Sequence, residues 1–449
     1  MNKKGFENKI EGFSKISKEE KIKWIEKNYF NDVSNPILKN YWNNDDSLQK
    51  IHDEFTENTL SNFYLPLGVA PNFLIDNKDY TIPMVIEESS VIAAACKAAK
   101  FWRNRGGFKT SILNFKKTGQ VHFIFKGDKQ KLNIFFKNNK LKFYEDCKEI
   151  SSNMKKRGGG ILNIELLDKT HDIDNYFQIN AVFDTVDSMG ANFINSCLEQ
   201  FASTLKNEIK KFSDITNSDY SLEIIMSILS NYVPECLVRA EVSCDLSEID
   251  QTGGLSGKEY ANKFIQAINI AKTQTSRAVT HNKGIMNGID SVVIATGNDF
   301  RAIEAGVHAY AAKSGMYKSL TDACVENNTF KFWIEIPLAL GTVGGITNLH
   351  PLVKWSLELL KNPNAKELMK IVAVAGLAQN FGAVNSLITT GIQKGHMKMH
   401  LMNILNQLEA TQEEKAVITK YFKDKVPHHR EVVNYFCTLR GQPIPKLGS

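Results

Sequence analysis

The sequence predicts a mixed α/β protein in which a small α+β unit is inserted into a larger α/β unit, followed by a helical segment. Its 449 residues are more than one hydrophobic core usually serves, so two or three domains are expected. Between Thr110 and Asp168 the composition shifts to alternating apolar and polar residues, which is typical of strands. Helical patterns of small residues lie on both sides, and from Gly391 onward the chain is rich in Lys and His.

The predicted domain boundaries follow these shifts in composition. Residues 1–111 and 226–390 are expected to form the large domain, residues 112–225 the inserted small domain, and residues 391–449 a separate helical C-terminal domain. The apolar fraction of 43% and the charged fraction of 23% are those of an ordinary globular protein. The chain can therefore bury a large core.

Individual elements are predicted from helix caps, periodicity and turn residues. A Ser cap starts a helix over residues 17–30, a loop-rich stretch follows to about Leu60, and residues 76–79 form a hairpin turn. A small-residue helix begins at Ser90, and residues 180–206 are predicted as a strand, a turn and a helix. Further strands are predicted at TSILNF, QVHFIFKG, KLNIFFK, LKFYED, GILNIELLD, IDSVVIAT and residues 332–340, and further helices at residues 257–278, 371–387, 399–408 and after Thr411.

Charge and cysteine content narrow the functional class. The net charge of +6 and the pI of about 8.7 suit a polyanionic small molecule such as a nucleotide or coenzyme A. The chain has no Arg-rich run with interleaved aromatics, so we expect no nucleic-acid partner.

Seven scattered cysteines with no C-x-x-C pair argue against a disulfide framework and predict a reducing, cytoplasmic setting. With neither a signal peptide nor an apolar run of membrane-spanning length, we expect no membrane partner.

Several familiar site motifs are missing. There is no G-x-G-x-x-G, no G-x-x-x-x-G-K-[ST] and no G-x-S-x-G. His396 and His400 are spaced as i and i+4, but the Glu of the H-E-x-x-H zinc motif is absent, so no metal site is predicted. A dinucleotide, if bound, is expected outside a Rossmann fingerprint.

The segment RAVTHNKGIMNGIDSVVIATGNDFRAIEAG concentrates polar side chains at both ends of the predicted strand IDSVVIAT. Arg277, Lys283, Asn287, Asp299 and Arg301 are the polar residues concerned. A Lys near an Asp can hold its charge in a low-dielectric site and polarise a carbonyl oxygen. The alternative is an ion pair that ties two loops together, and spacing alone favours that alternative.

Two further positions suggest proton transfer. Glu88 lies between a predicted strand and a predicted helix, where a buried carboxyl with a raised pKa can donate a proton. The alternative is a solvated Glu88 before a helix capped by Ser89 or Ser90. His396 in GIQKGHMKMH is a natural general acid near neutral pH, although a single His is more often ordinary.

Two glycine-containing turns suggest close approach of the backbone to a ligand. DTVDSMGANFINSC runs from a strand through a turn into a helix, and helix N-termini with Gly bind phosphate well. The alternative is a plain cap by Asp187 or Ser188. In GTVGGITNLHP, from Gly341, the backbone must also pass close to something, more often another helix than a ligand.

The motifs together resemble the class II 3-hydroxy-3-methylglutaryl-CoA (HMG-CoA) reductases over nearly the whole chain. Seven of them occur in the family order, and the opening GFSKISKEEK and PLGVAPNF are also similar. Single motifs are weak, whereas seven in order are specific. The seven are EESS at Glu87, DSMGAN at Asp187, VTHNKGIMNG at Val279, ATGNDFRAIEAG at Ala295, GTVGG at Gly341, GLAQN at Gly376 and KGHMK at Lys394.

The resemblance implies a role for each matching residue. It implies four catalytic residues, namely Glu88, Lys283, Asp299 and His396, the last on a mobile C-terminal flap. The implied substrate contacts are Ser90, Arg277 and Asn287, and the implied dinucleotide contacts are Asp187, Met189, Gly190 and Asn192. The large domain would then bind substrate and the inserted domain the dinucleotide.

The implied reaction is two hydride transfers from NAD(P)H that convert HMG-CoA to mevalonate and free coenzyme A, in the mevalonate pathway. Lys283 would stabilise the oxyanion, His396 would protonate the coenzyme A thiolate, and Glu88 would donate a proton in the second reduction. Asp299 is expected within the same Lys/Glu network. The family also implies a homodimer, or a higher homo-oligomer, with active sites at the interface.

Three positions depart from the family pattern. Ser188 replaces an Ala, and Ser14 replaces an Arg that contacts coenzyme A in some members, which puts that contact in doubt. Asn163 replaces an acidic residue that would favour NADH by bonding a ribose hydroxyl. Because Asn163 is uncharged and basic residues 155–157 are near, we predict a preference for NADPH. The alternatives are the reverse, degradative direction, an inactive coenzyme A-binding relative, and an unrelated Rossmann dehydrogenase, which the missing fingerprint disfavours.

Overall fold

The computed structural model describes residues 10–30, 36–216, 219–389, 391, 401–423 and 425–443. This part of the chain forms a two-stranded hairpin, two separate four-stranded sheets and the helices that pack on them. The predicted mixed α/β fold is confirmed. Below, the large unit is the body around the sheet that contains residues 237–245, and the small unit is the body around the sheet of residues 117–229.

The described N-terminal region consists of short helices followed by a two-stranded hairpin. Ser17 caps helix α1 (Lys18–Tyr29), as predicted, and forms a capping box with Glu20. The stretch predicted as loop-rich contains two short helices, α2 (Ile37–Asn40) and α3 (Asp46–Asp53). Strands β1 (Leu67–Ile75) and β2 (Lys78–Val85) pair antiparallel around the predicted turn, where Asp76 and Asn77 have positive φ.

The large unit is an antiparallel sheet with helices packed on it. Its strand order is β3 (Lys109–Ile112), β8 (Leu237–Asp245), β10 (Thr329–Pro337) and β9 (Thr321–Glu326). One hydrophobic core joins this sheet to the hairpin and the surrounding helices. Those helices are α4 (Val91–Arg103), α9 (Gly257–Thr273), α10 (Thr275–Ala295), α11 (Phe300–Ala311), α12 (Pro351–Leu359) and α13 (Ala365–Ile388).

Helix α13 covers the helix predicted at residues 371–387, and most of its residues are buried in the core of the large unit. It is long and apolar enough to cross a membrane by length and composition alone. However, 67% of its apolar window is buried inside the protein, as expected for a core helix, so it is weak evidence for a membrane span.

The small unit has its own sheet and its own core. The strand order is β5 (Gly160–Asp168), β6 (Tyr176–Asp184), β4 (Lys117–Lys126) and β7 (Ser221–Leu229), all antiparallel. Phenylalanines of the sheet and helices, among them Phe123, Phe177 and Phe201, fill the core. The covering helices are α5 (Lys129–Asp146), α6 (Lys148–Lys156), α7 (Ala191–Ile209) and α8 (Ser213–Thr216).

Three strand predictions are wrong, because the segments are helical. The run IDSVVIAT belongs to α10, where Ile285, Ile289, Val292 and Val293 are buried at helical spacing. KLNIFFK and LKFYED belong to α5, whose N-cap Asp128 accepts hydrogen bonds from the backbone N–H groups of Gln130 and Lys131. Short apolar runs do not distinguish a buried strand from a buried helix, so the surrounding fold decided these cases. The helix predicted over residues 257–278 is two helices, α9 and α10.

The C-terminal residues form a separate small core. The described helices there are α14 (401–407), α15 (Gln412–Tyr421) and α16 (His429–Leu439). Leu405, Ile418, Val432 and Phe436 pack together between them. The division into domains 1–111, 112–225, 226–390 and 391–449 stays a prediction.

Helices α10 and α13 pack at very short distance through glycine. A Cβ atom on Gly288 would lie 2.4 Å from the Ala375 carbonyl oxygen, which is backbone and cannot move aside cheaply. On the other helix, a Cβ on Gly376 would lie 2.8 Å from Ile289 Cγ1. By contrast, a Cβ on Gly284 would make only an ordinary contact, 3.9 Å from Ala383 Cβ.

We expect Gly288→Ala to lower the free energy of unfolding by about 1–3 kcal/mol, because the helices must separate to admit the methyl group. The matched variant Gly284→Ala, in the same helix, should be neutral or stabilising by up to about 1 kcal/mol, since Ala is the better helix former. Urea unfolding followed by circular dichroism measures both. Equal stability of the two variants would contradict the close packing.

Candidate active site

An ion pair joins two of the predicted catalytic residues across 195 positions of sequence. Lys283 Nζ on α10 donates a hydrogen bond to Glu88 Oε2, just after β2. Asn287 Nδ2 donates to the same oxygen at 3.4 Å. Lys283 and Asn287 are one helical turn apart, so they share the face of α10 that meets Glu88.

The backbone beside Glu88 adopts a rarely used conformation. Ser90 has φ 73°, in the left-handed region that serine seldom adopts, at the N-cap position of α4. Its side chain makes no capping hydrogen bond, so the alternative of a serine-capped helix is wrong. A strained residue two positions from a carboxylate is typical of a functional site.

The Lys283–Glu88 pair is open to solvent within one chain. The side chains are 58% and 38% exposed, respectively. An exposed pair of this kind stabilises the fold little, so stability does not explain it. An ammonium that polarises a carbonyl works best where water is excluded, and within the described chain nothing covers this pair.

Helix α10 also carries a cationic side chain, Arg277, six residues before Lys283. Arg277 on α10 is half-buried, and burial lowers the pKa of its guanidinium. None of the ion pairs in the described part of the chain includes Arg277. A half-buried guanidinium of this kind suits an anionic group of a ligand.

A buried polar network anchors the first half of α10. His281 Nε2 lies 2.7 Å from Thr321 Oγ1, and Thr321 Oγ1 donates to Asn380 Oδ1 at 3.1 Å. Asn380 Nδ2 donates back to the His281 carbonyl at 3.3 Å. Burial, and secondarily the charge of Arg277, lowers the pKa of His281 to about 3. The network therefore holds a neutral imidazole two residues from Lys283.

Within its own chain Asp299 makes no hydrogen bond to Lys283 or Glu88, so its predicted place in the Lys/Glu network stays a prediction. It is the N-cap of α11, and its Oδ1 accepts from the backbone N–H groups of Arg301 and Ala302, each at 3.1 Å. Lys283 lies twelve residues before Ala295, the end of α10. At 1.5 Å per residue this is about 18 Å of helix, far beyond hydrogen-bond reach.

Asp299 lies instead on a second feature, a cleft of about 670 Å³ between the small and large units. The first turn of α7 opens into this cleft, and no side chain caps that helix. Arg157 and Arg301 add positive charge to the lining. Free backbone N–H groups at a helix N-terminus and nearby guanidinium groups form a site for phosphate.

Three of the five predicted dinucleotide contacts line this cleft, namely Met189, Gly190 and Asn192. Gly190 has φ 89°, and a Cβ there would lie 2.3 Å from Thr185 Cγ2, so only glycine fits. The predicted caps Asp187 and Ser188 are wrong, because Gly190 occupies the N-cap position.

The other two predicted contacts, Asp187 and Asn163, are not among the residues that line the cleft. Asp187 Oδ1 accepts from the Ala365 backbone N–H at 2.9 Å, which ties the turn to α13. Asn163 accepts from Lys140 at 3.1 Å and donates to Glu165 at 2.6 Å. These side chains therefore support the small unit and its junction.

The turn GTVGGITNLHP lines the cleft as well, although the sequence favoured a helix as its neighbour. A Cβ on Gly341 would lie 2.4 Å from the Met189 backbone nitrogen, so the close neighbour is the other glycine-containing turn. A Cβ on Gly344 or Gly345 would meet open space. The sequence of each turn does not show that the two turns pack against each other beside the cleft.

His396 and His400 lie outside the described residues. Within the described ranges, no group of three or more His, Cys, Asp or Glu side chains could hold a metal ion.

Comparisons with known proteins show which family this chain is similar to. The family model described as hydroxymethylglutaryl-coenzyme A reductase matches residues 17–401. The chain is 37% identical over 415 residues to the 3-hydroxy-3-methylglutaryl-coenzyme A reductase of Archaeoglobus fulgidus, covering 92% of this chain and 90% of that protein. It is 34% identical over 394 residues to a probable reductase of the same name from Borreliella burgdorferi, covering 86% and 85%, respectively.

A solved structure has the same fold. The class II 3-hydroxy-3-methylglutaryl-CoA reductase of Streptococcus pneumoniae, bound to NADPH in open conformations, matches with a TM-score of 0.68 and 34% identity. The match covers 87% of this chain and 92% of that chain.

The buried His281 predicts acid sensitivity of the fold. Its pKa in the folded protein, about 3, lies below the usual 6.5, so the unfolded chain takes up the proton first as the pH falls. This one group should therefore make the free energy of unfolding about 2 kcal/mol lower at pH 5 than at pH 7.

We expect His281→Gln to lose that part of the decline, since glutamine does not titrate. His171→Gln is the matched control, because the His171 side chain is 72% exposed. Urea unfolding at pH 7, 6 and 5 measures the slope. A wild-type slope retained in His281→Gln would show that other groups cause the acid sensitivity.

Proposed function

The chain belongs to the hydroxymethylglutaryl-coenzyme A reductase family, and from this premise we propose that it reduces HMG-CoA to mevalonate and free coenzyme A with NADPH. The observation that carries the proposal is the cluster of Lys283, Glu88 and Asn287. Lys283 supplies a positive charge and Asn287 an amide from one face of α10, and Glu88 brings a proton-transfer group to that face. A thioester reduction needs this chemistry, because negative charge develops on the carbonyl oxygen.

The cleft suits NADPH, which supplies the hydride when bound. The N–H groups at the start of α7 and the positive-φ Gly190 can receive its pyrophosphate closely. Arg157 offers a partner for a 2′-phosphate. Support for NADPH therefore comes from Arg157 and the helix terminus, together with the NADPH-bound relative from Streptococcus pneumoniae, and not from Asn163.

We assign the proton and charge movements to this chain's residues. Lys283 stabilises the oxyanion that develops on the carbonyl oxygen when hydride adds to the thioester carbon. The resulting hemithioacetal re-forms its C=O bond as its C–S bond breaks, which releases the aldehyde and the thiolate. His396 protonates that thiolate, an assignment carried by the KGHMK motif. Glu88 donates the proton that completes reduction of the aldehyde. Arg277 and Ser90 hold the substrate's anionic and polar groups.

We propose that two copies of the chain complete each active site. The α10 geometry separates Lys283 from Asp299 within one chain, so an Asp299 that acts on Lys283 must come from a second copy. Exposed apolar side chains support a covered surface there. Phe63 is 90% exposed and Val279 on α10 is 53% exposed, and the segment of Phe63 approaches the site because Pro66 accepts the Ile86 N–H at 3.2 Å.

The remaining assignments follow from this function. The large unit binds substrate, the small unit the dinucleotide, and residues 391–449 act as the flap. We place the enzyme in the cytoplasm, where the seven free cysteines stay reduced. The same site can run in the reverse, degradative direction. An inactive coenzyme A-binding relative is the remaining alternative, and the intact Glu88–Lys283 pair argues against it.

We expect the purified protein to oxidise NADPH only when HMG-CoA is present, with a higher kcat/KM for NADPH than for NADH. Lys283→Ala should lower kcat by about 10²–10³-fold or more, because the oxyanion loses its charged partner. Lys258→Ala, an exposed lysine of α9, is the control and should retain activity. Loss of NADPH absorbance measures the rates, and no turnover by the wild type would favour the inactive relative.

Mixed dimers test the two-copy site. Co-expressed Lys283→Ala and Asp299→Asn chains should regain about a quarter of wild-type activity, since half the dimers are mixed and one of their two sites is intact. Lys283→Ala mixed with Glu88→Gln is the control and should stay inactive, because both changes fall in the same half of the site. No recovery in the first mixture would mean that the two residues do not complement each other between chains.

A further inference from the structure

A lysine that the proposed chemistry does not use is buried behind the dinucleotide cleft. Lys117 begins β4 and is only 2% exposed. Its ammonium donates to Thr185 Oγ1 at 2.7 Å and to the carbonyls of Ser188 at 2.8 Å and Met189 at 3.1 Å. The Leu340 carbonyl of the large unit lies 3.5 Å away. Lys117 thus contacts both units and the turn between them.

This buried charge is costly and has no direct acidic partner. None of the ion pairs in the described ranges includes Lys117, and the groups that solvate it are neutral oxygens. Burial lowers the pKa of Lys117 to about 8, while Cys236, Asp184 and Asp187 act in the opposite direction. A hydrophobic residue of similar length would avoid the cost of burying charge. The position therefore calls for a functional reason.

The hydrogen bonds of Lys117 orient the turn that lines the cleft. In a trans peptide the C=O and N–H groups point in opposite directions. Carbonyls of Ser188 and Met189 that point at the ammonium therefore direct the N–H groups of Met189 and Gly190 away from it. Both residues line the cleft on the other side of the turn. A cation bound to these carbonyls also polarises the peptide units, which makes their N–H groups stronger donors.

The opposite side of the same turn is fixed by the large unit. The Asp187 carbonyl accepts from the N–H groups of Thr342 at 2.8 Å and Val343 at 3.2 Å. Gly341 donates to Asn298 Oδ1 at 2.8 Å, and Asn298 also lines the cleft. Lys117 therefore holds the carbonyls of Ser188 and Met189, and the segment 341–343 holds the carbonyl of Asp187. These two sets of hydrogen bonds together fix the orientation of the turn.

We propose that Lys117 is a positioning residue for the dinucleotide: its buried ammonium orients the turn at Ser188–Gly190 and places a positive charge behind the phosphate-binding end of α7. The proposal rests on the proposed function, because it assumes that the cleft binds NADPH. Lys117 touches neither the substrate nor the cofactor and acts through the backbone that does.

Replacing the ammonium tests the proposal. We expect Lys117→Met to raise the Kd for NADPH by about tenfold or more, the usual effect of losing charge-assisted hydrogen bonds, with the KM for HMG-CoA little changed. Lys126→Met, at the exposed far end of β4, is the matched control and should bind NADPH like the wild type. Fluorescence titration of NADPH measures Kd, and steady-state kinetics separate the two KM values.

The outcomes distinguish this proposal from the proposed function. A wild type that fails to bind NADPH refutes the function itself. A wild type that binds NADPH, beside a folded Lys117→Met with unchanged Kd, overturns the role of Lys117 alone. Equal losses in both KM values would indicate a general structural defect and would also overturn it.

The wild-type protein provides a second test if Lys117→Met does not fold. The affinity for NADPH should weaken as the pH rises through about 8, where the pKa of Lys117 lies and its positive charge is lost. Burial raises the pKa of the facing thiol, Cys236, to about 11, so Cys236 stays neutral there. Ordinary carboxyl and guanidinium groups do not titrate between about pH 7 and 9.5. A flat Kd over this range would overturn the proposal.

Discussion

The rigidity of helix α10 is the constraint on which the site depends. Its 21 residues carry Lys283 in their first half and lead to Asp299 beyond their C-terminal end, so these two groups cannot meet within one chain. The short glycine contact with α13 and the buried network of His281, Thr321 and Asn380 keep this helix in place. One rigid element therefore keeps the two groups apart within a single chain, which is the reason for our proposal that a second copy completes the site.

The dinucleotide cleft depends on a different device, a turn held from both sides. Glycines let the turn at Gly190 and the turn at Gly341 approach each other closely, and Asp187 and Lys117 bind them to the large unit and to β4. Because the cleft lies where the small and large units meet, its shape depends on how the two units sit together. The cost of burying Lys117 is understandable if cofactor affinity depends on that arrangement.

The groups that anchor the site and the groups proposed to act in it differ in their exposure to solvent. The polar groups that anchor α10 and the cofactor turn are buried and hydrogen-bonded, whereas Lys283 and Glu88 are accessible to water. Electrostatic stabilisation of an oxyanion is strong only when water is excluded. The described chain thus supplies a preorganised but uncovered pair, in keeping with our proposal that a second copy and the motif of His396 complete the site.

The sequence by itself determined the family and the mixed α/β class, because these depend on ordered motifs and on local caps and turns. It also singled out Glu88 and Lys283, which form an ion pair, and Gly190, which lines the cleft. Tertiary structure decided what local patterns leave open. IDSVVIAT and KLNIFFK became helices because the apolar partners around them match a helical period. Within one chain Asp299 lies apart from Lys283, and Asp187, Asn163 and Lys117 make supporting contacts, because only packing fixes the distances between remote segments. Spacing along the chain carries no such distance, since a hydrogen bond such as that from Lys283 to Glu88 joins residues 195 positions apart.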